Sequence, residues 1–293
     1  MEENHISSLS QAKQAVKENR RIKIKSFFKN KTAVVGLVIS VIMVAAAILA
    51  SVIFPEGPFG MDTMIRLQKP SAAHLWGTDE FGRDVLCRTL YGIRISLLIG
   101  LSTAVITFVI GMILGVLSAY YHMLDNIIMR ICEAMMSIPS ILMGIALMSA
   151  LGASSVNVVI ALSIVYTPVV ARIARASALS VKEMTYIEAI RSQGAGPMRI
   201  LFRHIAPNCL SPVIVQATYV FATSIIVEAS LSFLGAGVPV PSPSLGNILN
   251  EAKQYIFQSW WMVTFPSIVM IFLVVGINLL GDGVRDVLDP SSN

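Results

Sequence analysis

The residues of this 293-residue chain that are best placed to do chemistry do not make a catalyst. They concentrate in YIEAIRSQGAGPMRILFRHIAPN, residues 186–208, a polar island between segments apolar enough to cross a bilayer. Tyr186, Glu188, Ala189 and Arg191 come first. A Gly194-Ala195-Gly196-Pro197 break follows, and then Arg199, Arg203, His204 and Pro207. Glycine tolerates positive φ and proline suits a first helical turn, so the break predicts one short helix ending and another starting. Small residues beside arginines, on a helix pair at a membrane face, suit gripping another protein. Glu188 can cap backbone amides or pair with Arg191, while Arg199 and Arg203 can reach acidic groups on a partner.

Two further sets deserve weighing. Glu133 and Glu228 are ionisable residues inside apolar stretches, where such groups face a bundle interior or water. With Pro139, which can kink its helix, they are pore or gate candidates, although Glu133 can pair more simply with Arg130 one turn away. Asp79, Arg83, Asp84 and Arg88 can form salt bridges that order a loop. His5, His74, His122 and His204 are scattered, and no phosphate loop, zinc-protease or serine-hydrolase motif occurs. Cys87, Cys132 and Cys209 share no metal-ligand spacing. The pattern reads as a pathway with no motor of its own.

The elements that must position these residues follow from composition. Only 13% of the chain is charged against 55% hydrophobic, with mean hydropathy +0.73, whereas a soluble domain carries about 25% charge. The expected fold is all-α, a polytopic membrane bundle. Six stretches reach the ~20 residues a span needs: 32–54, 95–121, 127–151, 156–178, 210–235 and 260–281. The third is interrupted by Arg130, Glu133 and Pro139. Lys13, Lys17, Arg20, Arg21, Lys23, Lys25, Lys29 and Lys31 precede the first span, which predicts a cytoplasmic N-terminus. An even span count then makes the C-terminus cytoplasmic, with the 179–209 loop inside and loops 55–94 and 236–259 outside. A short surface helix is expected from about Arg83, leading into the second span. Pro239, Pro241 and Pro243 favour an extended stretch before an amphipathic turn near 249–256, and Trp260 and Trp261 suit an interfacial position. Arg172 and Arg175 are expected to anchor the inner end of the fourth span.

Glu188-Ala189-Ile190, Gly194 and Pro207 hold the register of the EAA signature of membrane permeases of ATP-binding-cassette importers, which the chain resembles. Ile190 replaces its third alanine, His204 its isoleucine and Ala206 its leucine. Stretches 74–96, 127–143, 229–252 and 265–290 extend the resemblance to the dipeptide/oligopeptide/nickel permeases, and within them to the second, C-type subunit. Leu245-Gly246 stands where that family commonly has Trp-Gly, which puts the contact of that outer loop in question.

The resemblance implies a type I ABC importer permease fold with six transmembrane helices, half of a pore for peptides or metal complexes. It implies a homologous second permease, two ATP-binding subunits gripping the island and an extracytoplasmic substrate-binding protein. Surrounding lipid is expected, and no nucleic acid. Cofactors are expected to be none in this chain, with ATP and Mg on the partner subunits. Localisation would be the bacterial cytoplasmic (inner) membrane. The organisation so read is a basic cytoplasmic segment at 1–31, the first span and outer loop at 32–94, a permease core at 95–285 with coupling helices at 181–207, and a tail at 286–293. The rival reading is an ion-coupled secondary transporter with Glu133 and Glu228 as proton sites, which predicts inverted repeats. The sequence holds no internal repeat.

Overall fold

The structure is a computed structural model and describes residues 27–288. Most of the basic 1–31 segment and the last five residues of the tail therefore lie outside the described residues. The first long helix, α1 (Lys31–Ile53), starts where the Asn30 side chain accepts from the amides of Thr32 and Ala33. It is followed by α2 (Val85–Tyr120), α3 (His122–Met136), α4 (Ser140–Leu151) and α5 (Ser155–Lys182). Then come α6 (Thr185–Ser192), α7 (Pro197–Ile200), α8 (Leu210–Phe233), α9 (Leu245–Ala252) and α10 (Trp261–Leu288). No strand occurs among the described residues; the one bridge joins Thr78 to Asp84.

Glycines set the helix seams by letting backbones approach. A Cβ on Gly115 of α2 would lie 2.4 Å from the carbonyl oxygen of Ala171 in α5, and one on Gly36 of α1 would lie 2.5 Å from the amide of Leu280 in α10. These contacts also fix direction. Gly111 meets Val170, Gly115 meets Ala171 and Ala174, and Lys182 Nζ donates to the Ala119 carbonyl, so α2 and α5 run parallel. Two parallel neighbours need a return crossing between them, and only α3 and α4 are available to make it. Those two helices meet at a bend of 97°. The 15 residues of α3 rise about 22 Å and the 12 of α4 about 18 Å, short of the ~30 Å of a bilayer core, so neither half crosses alone. Gly36 against Leu280 and Asn30 Nδ2 donating to Asp286 at 2.6 Å make α1 and α10 antiparallel. Residues 30, 120, 182–209 and 286 thus share one end, called here the island end, and the loops 54–84 and 234–260 share the other. Among the described residues five helices are long and apolar enough to cross a membrane, six crossings with the bent pair.

The second span differs from its expected start. No separate surface helix precedes residue 95; α2 is one 36-residue helix from Val85. Its first turns are polar because they are packed under the loops 54–84 and 234–260, where Arg88 is 1% exposed and Thr89 fully buried. Hydropathy alone cannot place such turns. Trp261 also departs from the expected interfacial position. It is buried and donates through Nε1 to the Thr78 carbonyl at 3.2 Å, while Trp260 remains half exposed.

Candidate functional site

The island is built on a buried apolar floor. Ile187, Ile200, Leu201, Ile205 and Cys209 pack against Val116 and Ala119 of α2 and Ala178 and Val181 of α5. The helix α6 ends in a paired-amide cap: Gly194 N–H donates to Arg191 O and Ala195 N–H to Ile190 O, with Gly194 at φ +82°. Pro197 then opens α7 as the break predicts. The second half is not a free-standing short helix, however. It runs through a π turn at Leu201–Ile205 into α8, with the Ala206 amide bonding Leu201 O. Pro207 explains the irregularity, since its missing N–H and its ring disturb the regular ladder one turn back. Tyr186 OH donates to His204 O at 3.3 Å and accepts from Asn208 Nδ2 at 3.0 Å, tying α6 to that turn.

Above the floor the side chains point outward. Tyr186, Glu188, Ala189, Arg191, Gly194, Arg199, Arg203 and Pro207 are exposed and Ala195 is half-buried. Met184, Met198 and Phe202 are also exposed among them. Glu188 does not pair with Arg191, and none of Arg191, Arg199 and Arg203 makes an ion pair among the described residues. The island is a firmly seated plate whose cations and outward apolar side chains have no partner among the described residues.

At the opposite end, Asp79, Arg83 and Arg88 meet a residue the sequence reading missed, Glu251 of α9. Arg83 Nε donates to Asp79 Oδ2 at 2.5 Å and its Nη2 to Glu251 Oε2 at 3.0 Å. Arg88 Nη1 donates to both, at 2.7 Å to Asp79 and 2.5 Å to Glu251. Asp79 Oδ1 also accepts the amides of Phe81 and Arg83. Residues far apart in sequence thereby lock the 54–84 loop to α9. Asp84 does not join this cage. It caps α2 by accepting from the Cys87 amide at 2.9 Å and pairs with His74 Nδ1 at 3.0 Å. Burial raises the Glu80 carboxyl pKa above its ordinary value, and the neighbouring Asp79 and Glu251 charges add to the rise.

Glu228 is fully buried and accepts from Ser96 Oγ at 2.9 Å and Ser232 Oγ at 2.8 Å, so it lies inside the packing of α2, α8 and α9, away from any open face. Gly246 allows this, because a Cβ there would sit 2.3 Å from Ala229 O. Leu245, the departure from Trp-Gly, is buried with Ile93, Ile225, Val269 and Leu273. That position is internal to the chain. Pro139 sits at the 97° elbow as α4 begins. Glu133 and Arg130 are both exposed and form no ion pair with each other, contrary to the simpler pairing. Arg175 is not a free anchor: it grips Asp125 through Nε and Nη2 at 2.5 and 2.6 Å.

Residues 108–293 match the family described as binding-protein-dependent transport system inner membrane component, and residues 21–70 the N-terminal TM domain of oligopeptide transport permease C. The chain is 44% identical over 266 residues to a putative peptide transport system permease protein of Brucella abortus, covering 91% of this chain and 90% of that protein. It is 41% identical over 267 residues to the dipeptide transport system permease protein DppC of Alkalihalophilus pseudofirmus, covering 91% and 88%. It is 40% identical over 270 residues to the glutathione transport system permease protein GsiD of Pectobacterium atrosepticum, covering 91% and 89%. A solved inward-facing MetNI methionine ABC transporter superposes with a TM-score of 0.56 at 24% identity, over 74% of this chain and 99% of that one, a likeness of fold. These matches leave the ion-coupled carrier without support. With its bent third crossing, its seated island and relatives along nine-tenths of its length, the chain belongs to the binding-protein-dependent transport system inner membrane components and is a permease subunit of an ABC importer.

Proposed function

We propose that this permease carries peptides inward, as half of a pore made with a homologous second permease, and that its island receives force from ATP-binding subunits. ATP and Mg reside on those two subunits, and an extracytoplasmic binding protein delivers substrate to the outer loops. The membrane is the bacterial cytoplasmic (inner) membrane, with both termini and the island cytoplasmic. Closure of the ATPases then pushes the plate at 185–209, and the helices continuous with it tilt as rigid bodies. The relatives' names support the peptide class. The observation that carries the docking role is the island's division into a buried floor and an outward face of Arg191, Arg199, Arg203, Met198 and Phe202 with no partner among the described residues. Glu133, Arg130 and Pro139 at the elbow belong to the pathway wall, since ionisable residues on a span need water or a partner. Glu228 holds α9 in place.

The test places a bulky side chain on the plate without touching its floor. A Cβ at Gly194 would meet nothing within 4 Å, so Gly194→Trp projects outward, at a backbone cost of about 1–2 kcal/mol for its positive φ. Glu188→Trp lies on regular, exposed helix and avoids that strain. Both variants should still insert and assemble with the second permease, yet lose ATP-binding subunits on purification and lose uptake. Retention of those subunits with normal uptake in both would refute docking at the island.

A further inference from the structure

A polar pocket of about 310 Å³ opens between α3 and α5 toward the island end, lined by Asp125, Asn126, Met129, Arg130, Glu133 and Arg175. It has room for roughly ten waters. Asp125, Met129 and Glu133 recur every four residues and so share one stripe of α3. Two of the four charges in the pocket satisfy each other, because Arg175 holds Asp125 through two parallel bonds. The other two do not. Arg130 and Glu133 are exposed, and neither makes an ion pair or side-chain hydrogen bond among the described residues. Glu133 lies within electrostatic reach of Arg175 without contacting it, so a cation and an anion that each lack a direct partner among the described residues stand a helical turn apart in an open polar pocket beside the elbow.

We infer that Arg130 and Glu133 form a passing site for the two charged ends of a peptide, the guanidinium taking the terminal carboxylate and the carboxylate taking the terminal ammonium. This rests on the peptide reading above and adds the contact residues to it. Side chains three apart on a helix have Cβ atoms about 5–6 Å apart. An extended tripeptide spans about 10 Å, and the long side chains, splayed from those Cβ atoms, can meet both ends at once. The site's free charge sums to zero with the signs separated, which complements a zwitterion better than a net anion or cation. A bare hard cation such as calcium is poorly served, since it takes 6–8 oxygen ligands and finds here one free carboxylate beside an arginine. Because the pair touches substrate inside the path, after delivery, it acts on the turnover rate rather than on capture.

The experiment is ATP-driven uptake of trialanine by the complete complex in vesicles, at saturating binding protein. Arg130→Gln and Glu133→Gln should each lower the maximal rate roughly tenfold, the scale of one lost charge-assisted hydrogen bond, with the half-saturating peptide concentration unchanged. The double exchange Arg130→Glu with Glu133→Arg should recover most of the rate, because a zwitterion can bind in the reverse sense. If the single variants transport normally, the site is refuted. It is equally refuted if the exchange is as slow as the single variants, or sheds the second permease on purification, since the charges would then face fixed groups of another subunit. A wild-type complex that hydrolyses ATP yet moves no trialanine would instead overturn the peptide reading itself.

Discussion

Replacing Asp79 by alanine should unseat the whole outer face. The Asp79 side chain is almost fully buried, and its Oδ2 serves both Arg83, at 2.5 Å, and Arg88, at 2.7 Å, while Oδ1 holds two backbone amides. Removing it leaves Glu251 to serve both buried guanidinium groups, with only a longer Arg83–Glu80 contact at 3.6 Å beside it, and Arg88 Nε and Nη2 already lack a partner among the described residues. Breaking a buried pair by deleting one member costs about 3–5 kcal/mol, a large part of the ~5–15 kcal/mol that a folded domain has in hand. The assay is thermal unfolding of the purified chain in detergent, followed by tryptophan fluorescence, since Trp261 donates to Thr78 in the adjoining turn. Glu188→Ala is the control. Its side chain is exposed and unpaired, so the expected change stays within about 0.5 kcal/mol. If the two variants unfold at the same temperature, the cage contributes nothing and the reasoning about buried ion pairs fails for this protein.

Three other outcomes follow from the same geometry. Glu80 has a raised carboxyl pKa, so the folded state holds its proton more tightly than the unfolded state, whose ordinary value is 4.5. Its contribution is fully present below that value and is lost as pH rises through the folded pKa. Glu80→Gln should therefore flatten the stability profile above pH 4.5, and a profile identical to wild type would contradict this. Gly115→Leu should separate α2 from α5, because even a Cβ would lie 2.4 Å from Ala171 O; a drop of about 1–3 kcal/mol or failure to accumulate is expected, and normal yield with normal melting would count against the seam. Glu228→Leu should destabilise by about 1–3 kcal/mol by stranding the hydroxyls of Ser96 and Ser232, whereas Glu228→Gln keeps acceptors and donors and should be milder; equal effects on melting would refute the lock.

The sequence carried the crossings, the island and the break at Gly194 to Pro197, because each depends on local signals: apolar length, basic flanks, and glycine and proline chemistry. What it could not carry was pairing at a distance. Glu251 joins Arg83 and Arg88 across more than 160 residues, and only the folding of α9 onto α2 and α8 brings it there. The early start of α2 was hidden for the same reason, as Arg88 and Thr89 look like loop residues until the outer loops cover them. Pro139 marked a possible kink, but its size depends on α3 and α4 having to return the chain between two parallel helices. Asp84 was legible as a loop-ordering residue, but its partners, the Cys87 amide and His74, were not.

The account turns on the outward face of the island. Photo-crosslinking from positions 191 and 199, both exposed, tests it in the intact membrane assembly. Adducts with an ATP-binding subunit, stronger or weaker according to the nucleotide present, are the expected result. Adducts with lipid alone, or none, at both positions in every nucleotide state would contradict the claim that this plate receives the stroke.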